Sequence, residues 1–209
     1  MATENLILFG GTFDPIHIGH TVVAAHAQAQ IGADRLIFIP AKRSPLKGFS
    51  PRASDEDRFE MIRLAIGENP GFAVSEYELR RAAPSYTLDT VRYFKAAHGG
   101  EPEIYWLVGA DGVEDLRHWH KIEELLDACN VSVMYRAGWP VPDFARFERV
   151  WGRLRIEKLK RNVVATPLVD IGSTQIRDRL AQGKAISEMV HSAVADYIRR
   201  HRLYVLTKT

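Results

Sequence analysis

Two histidines, three glycines and an Asp-Pro pair crowd into eleven residues near the start of the chain, Gly10-Gly11-Thr12-Phe13-Asp14-Pro15-Ile16-His17-Ile18-Gly19-His20. Gly10 and Gly11 let a backbone come close to a ligand, and Gly19 near a helix start leaves amide groups to face an anion. His17 and His20 are three residues apart around that helix start, so both imidazoles fall on one side of it, suited to donate to phosphate oxygens. The stretch is neither GxGxxG nor GxxxxGK[ST], so it lacks the fingerprints of dinucleotide oxidoreductases and P-loop enzymes. A zinc pair at i, i+3 is the competing chemistry, but no third ligand is spaced beside them and Cys129 is the chain's one thiol.

Such a loop does its work only if a strand ends where it begins. Leu6–Phe9, Leu36–Ile39, Ile104–Val108 and Val131–Tyr135 are continuous apolar runs, as in strands buried on both faces of a parallel sheet, and Val163–Thr166 is a candidate last strand. Helical patterns lie between them over His20–Ile31, Asp55–Ile66, Thr87–Ala97 and Lys121–Ala128. Ser54 and Asp57 resemble a capping box, and Phe59, Ile62 and Ile66 form an apolar stripe. Ala137–Pro142 reads as a long loop, and Ser173–Gln182 and Ser187–His201 as closing helices. The expected fold is α/β, a Rossmann-like doubly wound parallel sheet, with residues 1–169 as main domain and 170–209 as a small helical cap packed on it. In such a sheet the ligand sits beyond the carboxyl ends of the strands, where this first loop lies.

The 209 residues carry 28 Lys+Arg against 26 Asp+Glu, a net charge of +2, with 46% hydrophobic and 26% charged residues. That composition excludes disordered, collagen-like and coiled-coil classes, and its balanced charge argues against a protein that coats nucleic acid or membrane. Cys129, in Leu125-Leu126-Asp127-Ala128-Cys129, is expected to be a buried structural thiol. With no basic, apolar leader and no run of about 20 apolar residues, a cytoplasmic protein without membrane partners is expected.

The first loop is similar to the T/HxGH signature of the nucleotidyltransferase superfamily, and its longer form GGTFDPxHxGH resembles the nicotinate-nucleotide adenylyltransferase family of bacterial NAD synthesis. Further matches follow in order. Ser85-Tyr86-Thr87-Leu88-Asp89-Thr90 resembles SYTxxT, Gly109-Ala110-Asp111 with Trp119 resembles GxD…W, and Arg136-Ala137-Gly138-Trp139 is close to R-P-G-[YF]. Gly172-Ser173-Thr174-Gln175-Ile176-Arg177 resembles ISSTxIR, and Val194–Ile198 with Leu203-Tyr204 resembles the family's terminal helix. Three departures stand out: Gly172 for a serine, Ala137 for a proline, and His191 for the proline of Val-Pro.

The resemblance implies transfer of an adenylyl group from ATP to nicotinate mononucleotide, giving nicotinate adenine dinucleotide and pyrophosphate. The substrate's phosphate is then the nucleophile, and the enzyme must align two anions and stabilise charge on the α-phosphate and the leaving pyrophosphate. His17, His20, Arg177 and Lys47 are the implied catalytic donors. Gly10, Gly11, Thr12, Phe13, Gly19, Gly109, Asp111, Arg136, Ser173, Thr174 and Ile176 are assigned to ATP. Arg43, Tyr86, Thr87 and Trp119 are assigned to the mononucleotide, with Trp119 as stacking face and the Tyr86–Thr87 amides for the pyridine carboxylate. Trp106, inside a strand, is expected in the core. Asp111 accepts from a ribose hydroxyl or caps the next helix. Mg²⁺ is expected on the nucleotide phosphates, with no protein side chain as ligand.

Two other readings compete. A pantetheine-phosphate adenylyltransferase or cytidylyltransferase resembles the first loop but is not expected to carry SYTxxT with GxD…W. A nucleotide-sensing module that lost turnover would not need His17, His20 and Arg177 together. Oligomeric state is left open by the sequence.

Overall fold

The computed structural model describes residues 3–43, 50–99, 102–136 and 139–205. Six parallel strands form one sheet: β1 (Asn5–Gly11), β2 (Arg35–Pro40), β3 (Phe72–Val74), β4 (Glu103–Gly109), β5 (Asn130–Arg136) and β6 (Val163–Thr166). Their order is β3-β2-β1-β4-β5-β6, so the chain winds outward in both directions from the seam between β1 and β4. That seam is the topological switch point, where an open α/β sheet binds its ligand.

Side-chain alternation along the strands divides the core into two faces. Leu8, Ile37, Ile39, Ile104, Trp106, Val108, Val131 and Val133 face one side. There they meet helices α3 (Thr87–Ala97), α4 (Ile122–Ala128), α5 (Glu148–Trp151) and α6 (Arg153–Arg161) through Val91, Phe94, Leu125, Trp151 and Leu159. Ile7, Phe9, Leu36, Phe38 and Leu107 face the other. There they pack on α1 (Ile18–Ile31), α2 (Asp55–Ile66), α7 (Ser173–Ala181) and α8 (Ser192–Arg200) through Ala24, Met61, Ile176, Val194 and Ile198. The α7–α8 segment thus shares a core with α1 and α2.

The strands and helices read from the sequence stand with small shifts, while residues 137–138 of the Ala137–Pro142 loop lie outside the described residues. The Ser54 hydroxyl caps α2 by accepting the Asp57 amide at 3.0 Å. The buried face of α2 is Arg58, Met61, Ile62 and Ala65, rotated from the Phe59–Ile62–Ile66 stripe. The rotation follows from the fully buried Arg58, whose guanidinium is drawn inward to the Thr12 carbonyl (2.8 Å) and Asp55 (2.6 Å). Helix α8 begins at Ser192 rather than Ser187, because Ile186–Met189 forms a turn whose Met189 carbonyl accepts the Ile18 amide (3.0 Å) instead of a helical partner. Strand β3 and helices α5 and α6 are not among the elements expected from the sequence: β3 is three half-buried residues, and α6 buries Ile156 and Leu159, one turn apart on a strongly charged helix. Trp106 is in the core. Cys129 is buried, donates to the Leu125 carbonyl, and has its thiol pushed up to about 12 by burial, so it is inert at neutral pH. Among the described residues no helix is long and apolar enough to cross a membrane.

Candidate active site

Strand β1 delivers the first loop to the carboxyl edge of the sheet beside β4. Gly10 is required there by contact: a Cβ would fall within 2.7 Å of Trp106 Cη2, on an indole locked in the core. Phe13, at φ 49, turns the chain back inward and buries its ring edge-on against His20, with centroids 5.0 Å apart. His17 is the N-cap residue of α1 and its ring stacks on His20 at 3.7 Å and 29°. His20 Nδ1 accepts the His17 amide at 3.2 Å, so neutral His20 carries its proton on Nε2. Burial lowers the His17 pKa to about 4, leaving it neutral at pH 7, and its Nδ1 is buried without a hydrogen-bond partner. A Cβ on Gly19 would come within 2.9 Å of that Nδ1, so the glycine is what lets the imidazole lie over the helix start.

The C-terminal segment reaches back to the same loop. Arg177 Nη1 donates to the Asp14 carbonyl (2.7 Å) and Nη2 to Thr174 Oγ1 (3.0 Å), while its Nε is buried with no partner. Ser173 Oγ donates to the Pro15 carbonyl at 2.9 Å. The N-terminus of α7, which has no acidic residue in its first turn and no side-chain cap, therefore lies against the loop that opens α1. Two helix N-termini and a guanidinium gather at the loop that carries the histidines and make the region receptive to phosphate, with Arg177 itself in the lining of neither cavity described below. The buried Asp14 carboxylate gathers the Arg52 amide (2.8 Å), the Ala53 amide (3.0 Å) and the Tyr204 hydroxyl (2.7 Å), joining two distant segments to the loop.

Two cavities open on either side of this seam. One, of about 510 Å³, is lined by Gly10, Gly11, Thr12, Glu78, Ser85, Tyr86, Thr87, His118, Trp119 and His120. Tyr86 stacks on His120 at 4.3 Å, and the indole N–H of Trp119 is buried without a partner. The second, of about 450 Å³, is lined by His17, Gly19, His20, Asp111, Tyr135, Trp139, Thr166 and Ile171. Gly109, at the end of β4, borders both. Each has the volume of a small-molecule site of roughly 300–1,000 Å³.

Most residues singled out in the sequence meet here, with exceptions. Gly10, Gly11 and Thr12, expected at ATP, line the Trp119 cavity. Phe13 and Ile176 are buried in the core and line neither cavity: Phe13 buttresses His20, and Ile176 anchors α7. Arg43 is exposed outside both linings, and it is its carbonyl that accepts the Ser85 amide (3.2 Å). Ser173 and Thr174 hold the loop and Arg177 and line neither cavity. Lys47 and the side chain of Arg136 lie outside the described residues. Sequence reasoning missed Glu78, His118, His120, Asp14, Arg58 and Tyr204. The His118-Trp119-His120 triplet was the available signal for two of them.

The fold and the paired histidines at its switch point define a nucleotidyltransferase, and residues 8–179 match the cytidylyltransferase-like family model. A protein of Dehalococcoides mccartyi named "Probable nicotinate-nucleotide adenylyltransferase" is 35% identical over 199 residues, covering 94% of this chain and 95% of its own. One of the same name from Bacillus pumilus is 38% identical over 197 residues, covering 94% and 96%. The chain belongs to the nicotinate-nucleotide adenylyltransferase family, whose reaction is an adenylyl transfer of NAD synthesis. Its fold is that of the Plasmodium falciparum nicotinic acid mononucleotide adenylyltransferase solved in complex with NaAD, at a TM-score of 0.75, 19% identity and coverage of 96% and 97%.

Proposed function

We propose that the Trp119 cavity receives nicotinate mononucleotide, that the His17–His20 cavity receives the adenosine of ATP, and that the two phosphates meet over the seam between them. The supporting observation is that both cavities border Gly109 at the β1–β4 switch point and that the histidine pair lines the second of them. In this reading an oxygen of the mononucleotide phosphate attacks the α-phosphorus in line, the new P–O bond forms, and the bond to the β-phosphate breaks with its electrons leaving on pyrophosphate. No protein nucleophile takes part.

His20, its proton fixed on Nε2, and His17 act as N–H donors to phosphate oxygens, and the helix termini with Arg177 take the charge that grows on the leaving group. Bound polyanion favours imidazolium, so ATP opposes the lowering of the His17 pKa by burial. The Trp119 face and the Tyr86–Thr87 amides hold the pyridine ring and its carboxylate, and Asp111 accepts from a ribose hydroxyl.

The donors around the histidine cavity are nitrogens and hydroxyls, with Asp111 the one carboxylate in its lining. That set suits phosphate and does not make the oxygen cage a hard cation needs, so Mg²⁺ is taken to arrive on ATP and to supply charge neutralisation there. We place the reaction in the cytoplasm.

ATP made chiral at the α-phosphorus by one sulfur tests the direct displacement. Inverted configuration at phosphorus in the dinucleotide is expected. Retention would require two displacements and a covalent enzyme intermediate, and would refute the in-line scheme.

A further inference from the structure

Glu78 is a carboxylate that the reaction does not call for, nearly buried (5% exposed) in the wall of the cavity assigned to the pyridine. It sits in the turn that follows β3. The backbone there is pinned: the Leu79 side chain is buried and its carbonyl accepts Lys42 Nζ at 3.0 Å, so the carboxylate enters from a fixed base. Its Oε1 accepts the hydroxyl of Thr90, itself 1% exposed, at 2.6 Å. The Ser85 hydroxyl acts on the same carboxylate and favours its charged form. Burial raises the Glu78 pKa, and these two hydroxyls and the Arg81 charge pull against that rise.

Ser85 and Thr90 are the two ends of one segment, and its middle forms the mouth of the cavity. Ser85 is further tied down by accepting the Lys42 amide (3.2 Å) and by donating its own amide to the Arg43 carbonyl (3.2 Å). Thr90 lies in the first turn of α3, whose N-cap residue Tyr86 supplies no side-chain cap. The first amides of α3 are therefore left for a ligand; the helix, whose Tyr86 carbonyl accepts the Asp89 and Thr90 amides (3.1 and 3.3 Å), sets their direction, and the anchoring of its first turn sets where they stand in the cavity. A carboxylate is acceptor-only and can take both hydroxyls at once. Glu78 thus ties the first turn of α3 to the wall of the cavity that Trp119 also lines.

We propose that Glu78 is a specificity-determining positioning residue: by anchoring Thr90 in the first turn of α3, with Ser85 tied down at the other end of the segment, it fixes the Tyr86 and Thr87 amides in the geometry that reads a pyridine carboxylate rather than a carboxamide. This rests on the assignment of the Trp119 cavity to nicotinate mononucleotide. Amides aimed at an anion make charge-assisted bonds that weaken steeply when misplaced, whereas a neutral carboxamide gains less from the same amides and loses less with them. Loosening the clamp therefore costs the acid more than the amide, and the step that transfers the adenylyl group is unaffected.

The test is steady-state kinetics of Glu78→Gln with nicotinate mononucleotide and nicotinamide mononucleotide, each at saturating ATP, together with KM for ATP and thermal melting. Glutamine keeps the shape but presents one acceptor and one donor. KM for the acid should rise about tenfold, a loss of about 1.4 kcal/mol, while KM for ATP stays within about twofold and the preference for acid over amide falls by a similar factor. Thr90→Val, which removes one anchor with little change in volume, should give the same pattern, and Thr90→Ser should restore the preference. An unchanged acid-to-amide ratio in both Glu78→Gln and Thr90→Val, with melting lowered, would make Glu78 a merely structural residue and overturn the proposal. If Glu78→Gln fails to fold, the Thr90 pair decides alone. Wild-type enzyme that shows no preference for the acid would overturn the assignment of the cavity instead.

Discussion

Asp14→Asn isolates the node that ties the first loop to the rest of the molecule. The carboxylate Oδ1 accepts from the Tyr204 hydroxyl (2.7 Å) and the Ala53 amide (3.0 Å), and Oδ2 from the Arg52 amide (2.8 Å). Asparagine offers one acceptor oxygen and one NH₂ group. The better orientation keeps the oxygen on Tyr204 and Ala53 and turns NH₂ toward the Arg52 N–H, so two donors face each other in a site only 5% exposed. One hydrogen bond to a charged acceptor is lost, worth about 1.5–3 kcal/mol, and the remaining two become neutral, so a total of roughly 2–4 kcal/mol is expected. Tyr204→Phe removes one of two donors from Oδ1 and leaves the other, so roughly 1–2 kcal/mol is expected. Because the Asp14 carbonyl also receives Arg177 and the chain continues through Pro15 and Ile16 to His17, kcat should fall with stability in the same order. Urea unfolding at constant m-value reads the first quantity and initial rates the second. Asp14→Asn within about 0.5 kcal/mol of wild type, or Tyr204→Phe the more damaging of the two, would refute the reasoning.

His20→Ala should lower kcat by roughly a hundredfold or more with the fold intact, the loss typical of one preorganised donor; a near-normal rate would demote it to a packing role beside Phe13. Trp119→Ala should chiefly raise KM for the mononucleotide, and an unchanged KM would remove it from that site. Because burial lowers the His17 pKa to about 4, the unfolded chain binds more protons there below pH 6.5. Its contribution is therefore complete above pH 6.5 and lost as pH falls toward 4, up to about 3 kcal/mol, and pH-dependent melting of wild type against His17→Asn measures it. Nothing lies within 4 Å of a Cβ on Gly172, the N-cap residue of α7, so Gly172→Ser should fit and raise stability by a few tenths of a kcal/mol on the same melting assay; a loss would mean the site is not open.

What could be read from the sequence follows how local each signal is. The buried strands β1, β2, β4 and β5 announce themselves as apolar runs, and α2 and α3 begin at the expected residues. His17 and His20 were legible because one helix start presents both. The histidine pair is packed by Phe13, and the loop is pinned by Arg58 and by Tyr204, which lies 190 residues from its partner Asp14. Those contacts depend on where α2 and the C-terminal segment dock, and no spacing records that. Glu78 was missed for the same reason. A lone glutamate in a turn looks solvated until the fold brings Ser85 and Thr90 around it. Ile176 shows the opposite error, a motif position whose side chain serves the core while its neighbour Arg177 turns to the loop.

In the proposed reaction the Trp119 cavity and the cavity lined by His17 and His20 bring a pyridine mononucleotide phosphate onto the α-phosphate of ATP. Pyrophosphate release with ATP and Mg²⁺, compared across nicotinate mononucleotide, nicotinamide mononucleotide and phosphopantetheine, tests it most directly. Release is expected to be fastest with nicotinate mononucleotide, stoichiometric with the dinucleotide, and absent with phosphopantetheine. Absence of turnover with both pyridine nucleotides, or turnover with phosphopantetheine alone, would contradict it.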